Sequence, residues 1–249
     1  TLWLMGRYAE ALSFGLRSIK GDPRNGDILN VVGLIYVRLG KYPEALETWK
    51  RAEAVGAGIF PRINPAHYLL FRVGDTAQAL RILDNLPAEM LDSHNRARRA
   101  EMYSVLGEFT RALEDVRRIG DEPTLFEGGY LVRDLVSARV KERMGDAAGA
   151  AADYRKALPL AEAFREKRPA MWRAYPSLAQ IFAGLGRKDD AIAAARKCLE
   201  LYPPTEAPQY AAVFTLPVMA EVLSRLGVMD EALDIARQQA ASGEWRRNE

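Results

Sequence analysis

The chain has 249 residues, 49% of them hydrophobic and 27% charged, and its 35 basic and 33 acidic side chains leave a formal charge of +2. That balance excludes a strongly basic nucleic-acid binder or an acidic solvating tail as the whole-chain character. A single cysteine excludes an internal disulfide framework and multi-cysteine metal sites, two histidines leave little acid–base material, and no apolar run reaches the ~18–20 residues that span a bilayer.

One pattern recurs along the whole chain. A glycine followed five residues later by an alanine occurs at Gly6/Ala11, Gly40/Ala45, Gly74/Ala79, Gly107/Ala112, Gly145/Ala150, Gly186/Ala191 and Gly227/Ala232, with glycine spacings of 34, 34, 33, 38, 41 and 41. An apolar residue precedes each glycine, from Met5 and Leu39 to Leu185 and Leu226, and a small or aliphatic residue follows each alanine. Apolar residues upstream of the glycine keep helical spacing, as in Leu29, Val32, Gly33 and Tyr36. The glycine ends that helix in the left-handed conformation. A second helix then starts with acidic residues near its positive end, such as Glu44 or Asp189, and its alanine marks the crossing with the first helix.

In chain order this predicts a partial unit over 1–25, then units over 26–59, 60–92, 93–130, 131–171, 172–212 and 213–249. Gly6 closes a helix whose opening half is missing, so the chain is expected to begin inside a unit. The third unit departs most: Pro65 delays the start of its first helix, and bulky His67 stands where a small residue is expected. The fifth carries an extended second helix over 147–168 with Pro159 inside it. In the last unit, 205–226 reads as a lengthened first helix with Pro208 and Pro217, followed by a helix over Val228–Ala241 and the tail SGEWRRNE.

These residues resemble the tetratricopeptide repeat, a 34-residue helical hairpin. Residues 26–56 match it through Gly33, Tyr36, Gly40, Tyr42, Ala45 and Ala52, and residues 172–203 match nearly as well, including Pro203. The resemblance implies an all-α, right-handed superhelix of about six and a half helical hairpins in a single array. The runs DYRKALPLAEAFREKRP and MAEVLSRLGVMDEALD resemble repeat tails of bacterial signalling proteins, which follow an output domain such as a nucleotide cyclase, a winged-helix regulator or a kinase.

Catalytic chemistry finds little to work with. Cys198 falls on the packing face of a second helix and reads as a small buried residue. His67 and His94 lack an identifiable third ligand, and no phosphate-loop, dinucleotide or nucleophile-elbow motif is present. No cofactor or enzymatic activity is expected. The acids and arginines of GEFTRALEDVRRIGDEP (107–123) read as a solvated face.

In the family, first helices line an inner groove. Carrying that register across assigns Asn30, Val31, Leu34 and Arg38, then Tyr68 and Phe71, then Arg98, Arg139, Arg143 and Arg173 as partner-binding residues, with Ser177, Gln180, Glu221 and Arg225 further along. Val31, Leu34, Tyr68 and Phe71 would form an apolar strip, and the four arginines a cationic track. One reading is a peptide with an apolar anchor and an acidic end. The other is that the strip meets an upstream part of the protein while the arginines pair with Glu101 and Glu142. The groove has no lysine, which disfavours chaperone-tail recognition, and its aromatics do not interleave with the arginines, which disfavours nucleic acid. The expected function is a non-catalytic interaction or regulatory module binding a protein or peptide partner, or an output domain of its own parent chain. Self-assembly through terminal helices, giving a homo-oligomer, or sensing of a small ligand or peptide are the alternatives. The expected compartment is the cytoplasm, or the periplasm if a membrane span lies upstream.

Overall fold

All seven glycines of the repeated register have positive φ, between 70° and 86°, which an L side chain rarely adopts. The closure they permit recurs in detail. The amide after the glycine donates to a carbonyl five residues back: Lys41 to Tyr36, Glu108 to Tyr103, Asp146 to Lys141, Arg187 to Phe182 and Val228 to Leu223, each at 2.9 Å. The register alanines are buried, with Ala45, Ala79, Ala112 and Ala191 fully so.

The computed structural model describes residue 2 and residues 6–126, 129–203 and 209–241. Its contacts divide the chain into two compact units, residues 1–95 and residues 96–246. The first holds α1 (Tyr8–Gly21), the hairpin of α2 (Gly26–Arg38) and α3 (Tyr42–Ala54), and the hairpin of α4 (Phe60–Tyr68) and α5 (Thr76–Asp84). The boundary falls in the first turn of α6 (Ser93–Val105); the second unit holds the rest of α6 with α7 (Phe109–Arg117), α8 (Arg133–Arg143) with α9 (Ala147–Lys167), α10 (Tyr175–Gly184) with α11 (Lys188–Leu201), and α12 (Gln209–Arg225) with α13 (Met229–Ala241). Side-chain caps start several of them: Asn25 accepts from Ile28 N, Asp75 from Gln78 N and Asp146 from Gly149 N.

Close approach within and between hairpins depends on missing side chains. A Cβ on Gly33 would lie 2.4 Å from Trp49 Nε1, and one on Gly184 2.1 Å from the Tyr154 ring. Trp49 and Tyr154 are the bulk those gaps admit, at 1% and 2% exposure. In the second unit Tyr154 joins Leu178, Ile181, Met219 and Leu223 in a continuous core.

Two expectations are corrected. α4 begins at Phe60, five residues before Pro65. Pro61 occupies the first turn, where no amide donor is needed, and Pro65 removes a single donor one turn further in. The helix then widens into a π turn, Leu69–Val73, and its closure spans six residues, from Asp75 N to Leu69 O at 3.0 Å. Counted back from that longer closure, fully buried Ala66 takes the place of Gly33, and His67 moves to the half-buried level of Leu34.

The second correction is a short antiparallel hairpin, β1 (Thr124–Phe126) and β2 (Gly129–Leu131), between α7 and α8, where only helix and turn were expected. The extended second helix and the final helix occur as expected, and Pro159 and Pro217 both lie inside helices. Met5, Pro208 and the tail 242–249 lie outside the described residues. Among the described residues, no helix is long and apolar enough to cross a membrane.

Candidate partner-binding site

In the first unit the groove residues divide. Asn30 is half-buried: its Oδ1 accepts from Asn64 Nδ2 at 3.0 Å, and its carbonyl accepts from Trp49 Nε1 at 3.2 Å. Leu34 and Arg38 are half-buried on the same helix. Tyr68 does not face a groove; it is 5% exposed and stacks on Tyr42 with ring centroids 4.7 Å apart. The extra residue of the π turn explains this, because it moves Tyr68 from the level of Leu34 to that of buried Ile35. Burial pushes its phenol up to about 12. Phe71 is 48% exposed and lies 4.7 Å from His67, so the expected apolar strip is not continuous.

Val31 belongs to a different feature. It packs beside Tyr8, Ala11 and Ile35 and, with Phe14, Gly15, Ile28 and Val32, lines an apolar cavity of 550 Å³ between α1 and α2. Phe14 is 55% exposed there, with the Arg17 guanidinium 4.3 Å above its ring. Gly15 stands nine residues after Gly6, as Trp49 stands nine after Gly40. A Cβ on Gly15 would lie 2.5 Å from Val32, so a glycine where another repeat carries a tryptophan marks a close approach of α1 to α2 at the cavity's edge.

In the second unit, α8, α10 and α12 bring their groove residues together. Arg139, Glu142 and Arg143 from α8, Gln180 from α10, and Glu221 and Arg225 from α12 line a cavity of 260 Å³ with Tyr154. Arg139 and Arg143 each reach Glu101 of α6 at 3.1 Å, and Arg143 also donates to Ser104 Oγ at 3.0 Å. Glu142 accepts from Arg225, through Nη1 at 3.3 Å and through Nη2, and from the Tyr154 hydroxyl at 3.1 Å. Burial first, and Glu142 second, push the Tyr154 phenol well above its ordinary value. Three arginines thus share two paired carboxylates, Glu101 and Glu142, and Glu221 adds a third acid to the lining. Arg98 is half-buried on α6. Arg173 is outside the cavity, in a 3-10 turn with its guanidinium 5.1 Å over Trp172.

The tetratricopeptide-repeat family model matches residues 142–205. A tetratricopeptide-repeat protein from Parabacteroides merdae is similar in structure, with a TM-score of 0.51 at 18% identity, over 96% of this chain and 94% of that one. The chain has the tetratricopeptide-repeat fold. The yeast Tom70 structure (TM-score 0.56, 15% identity, 94% of this chain) and the Cut9–Hcn1 hetero-tetramer of the APC/C (0.53, 15%, 97%) share it. This chain spans about half of each, 48% and 47%. No curated protein matches the chain in sequence.

Within these tetratricopeptide hairpins, two carboxylates escaped the sequence reading. Asp115 was expected on a solvated face but is 2% exposed. Arg99 grips it with two bonds, at 2.6 and 2.8 Å, and Arg96 adds a third at 3.3 Å. Asp153, 3% exposed, accepts from Ser137 and Lys141 at 2.6 Å each and from Lys156 at 3.3 Å. Burial raises the Asp153 carboxyl, but hydrogen bonds from Lys141, Ser137 and Lys156 outweigh it and hold the group below its ordinary value. Both aspartates stand eight residues after the register glycine, where the second repeat has buried Thr48. An acid at a buried register position opposite basic residues of the first helix was the missed signal. Cys198 is 1% exposed in the core, as expected, and burial pushes its thiol up to about 12.

Proposed function

We propose that this chain is a non-catalytic protein-interaction module that binds a peptide or partner domain along the first helices of its hairpins, as part of a larger bacterial signalling protein. The observation that carries this reading is the cavity built by α8, α10 and α12, where the side chains of three successive first helices converge. Arg139 and Arg143 share one carboxylate, Glu101, so a second acidic group, supplied by a partner, can pair with them without displacing it. Val31, Leu34 and Phe71 supply half-buried or exposed apolar surface for a separate contact. Selection of a displayed peptide library tests the reading. Acidic peptides should be recovered, and the double variant Arg139→Glu/Arg143→Glu should lose them while Arg173→Glu keeps them. Peptides that bind the double variant unchanged would overturn it.

The exposed Phe14 and the apolar cavity beside it favour a second reading, self-assembly through terminal helices. Sedimentation that shifts with concentration in the wild type but not in Phe14→Glu would support it.

A further inference from the structure

β2 sits against the start of α10 in the manner of a bound peptide. The Tyr130 amide donates to Ser177 Oγ at 3.2 Å, and the Ser177 hydroxyl donates to the Tyr130 carbonyl at 2.7 Å. One side chain thus satisfies both main-chain groups of an extended residue, as a neighbouring strand would. Tyr130 pairs with Leu125 across the hairpin, so the edge of β2 directed away from β1 is the edge α10 receives.

The contacts on either side carry sequence information. A Cβ on Gly129 would lie 3.2 Å from Ser177 Oγ, 3.4 Å from Pro176 Cβ and 3.5 Å from the Arg173 carbonyl, so the seat admits a small residue there. The next residue must be flat and apolar: the Tyr130 ring stacks on Phe164 at 4.0 Å with 14° between planes. The Arg168 guanidinium lies 4.9 Å from the Phe164 ring. Ser177 precedes Gln180 by one turn of α10, and Gln180 lines the arginine cavity.

We infer that Phe164, Pro176 and Ser177 form a binding site for an extended peptide segment in which a small residue precedes an aromatic one, and that β2 is its intramolecular occupant. This deepens, and rests on, the reading of the chain as a peptide-binding module. A two-stranded hairpin has little stability alone, so β2 holds its place through the contacts with α10 and Phe164. Its covalent tether acts as an effective concentration on the order of millimolar, and a partner segment must compete against that.

The test uses a fluorescein-labelled peptide of residues 124–131 and a chain whose own residues 124–131 are replaced by a Gly-Ser linker of equal length. The linker variant should bind the peptide at least about tenfold more tightly than the intact chain. Adding Ser177→Ala to the linker variant, or replacing the peptide's tyrosine by alanine, should each abolish that gain. A folded linker variant that binds no more tightly than the intact chain, or whose binding ignores Ser177→Ala, would overturn the inference. Should the linker variant not fold, Gly129→Val in the full chain crowds β2 off Ser177, and peptide binding must then rise; no rise overturns the inference equally. An acidic peptide directed at Arg139 and Arg143 is measured in parallel. If it still binds, only the β2 site has failed; if it never binds any variant, the interaction-module reading itself has failed.

Discussion

Asn64 on α4 donates its side-chain amide to Asn30 on α2 at 3.0 Å, across a separation of 34 residues, the length of one repeat. Asn64 is 7% exposed, so the bond is largely shielded from water. The pair therefore locks two successive first helices in register. Asn64→Leu removes the partner of Asn30 Oδ1 and should cost ~1–3 kcal/mol in urea unfolding. The double variant with Asn30→Leu should cost less than the two single changes added together, because each single change already breaks the same bond.

Trp49 fills the space that Gly33 leaves open, and a methyl group at Gly33 would meet the indole ring. Gly33→Ala should destabilise the first unit by ~1–3 kcal/mol through overpacking. Trp49→Leu in the same chain should recover part of that loss, because the third repeat combines a bulkier first helix with Leu83 at the corresponding position. Thermal unfolding of the single and double variants measures the recovery.

The order of the hairpins, the left-handed glycines and the buried alanines were legible in the sequence, because each follows from a side chain's own volume or backbone preference; the start of α4 was not, because Pro65 lies inside that helix. The third repeat was not, because its π turn adds a residue to the closure without changing the glycine spacing, and so moves Tyr68 from the surface to the core. Arg139 and Arg143 lie on α8, and their pairing with Glu101 was one of the two readings open to the sequence; that both reach the same carboxylate depends on how α6 and α8 approach each other. Asp115 was misjudged because the charges of 107–123 look amphipathic in the chain; that it turns inward depends on Arg96 and Arg99 on another helix. The strand pair had a weak local signal in the apolar runs TLF and GYL, but the seat of β2 on Ser177 joins residues 47 positions apart.

Asp153 links stability to pH. Its folded-state pKa is held below the ordinary aspartate value of ~3.9, so the stability it adds is fully present above that value and is lost as pH falls toward the lower, folded one. Asp153→Asn should be less stable at neutral pH and should lose less further stability on acidification below about pH 4. Equal acid dependence in wild type and variant, read by urea unfolding at a series of pH values, would remove Asp153 from this role.

Cys198 should be inert in the native chain. With its thiol pushed up to about 12 by burial, a thiol-specific reagent at pH 8 should label it only after denaturant opens α11. Rapid labelling without denaturant would mean the core around α10 and α11 opens readily.

Contacts in a repeat array are made with neighbouring hairpins, so damage should stay local. Ala191→Trp places bulk at a fully buried crossing of α10 and α11 and should cost ~1–3 kcal/mol. Hydrogen exchange should accelerate from α8 to α13 while α2 to α5 keep their protection. Uniform loss along the chain would contradict nearest-neighbour packing.

The measurement that bears most directly on function is hydrogen exchange of the wild-type chain with and without a selected acidic peptide. Protection concentrated on α8, α10 and α12, and absent from Arg139→Glu/Arg143→Glu, is the predicted result. Protection confined to α1 and α2, or unchanged by the charge reversal, would contradict the assignment of the arginine cavity as the partner site.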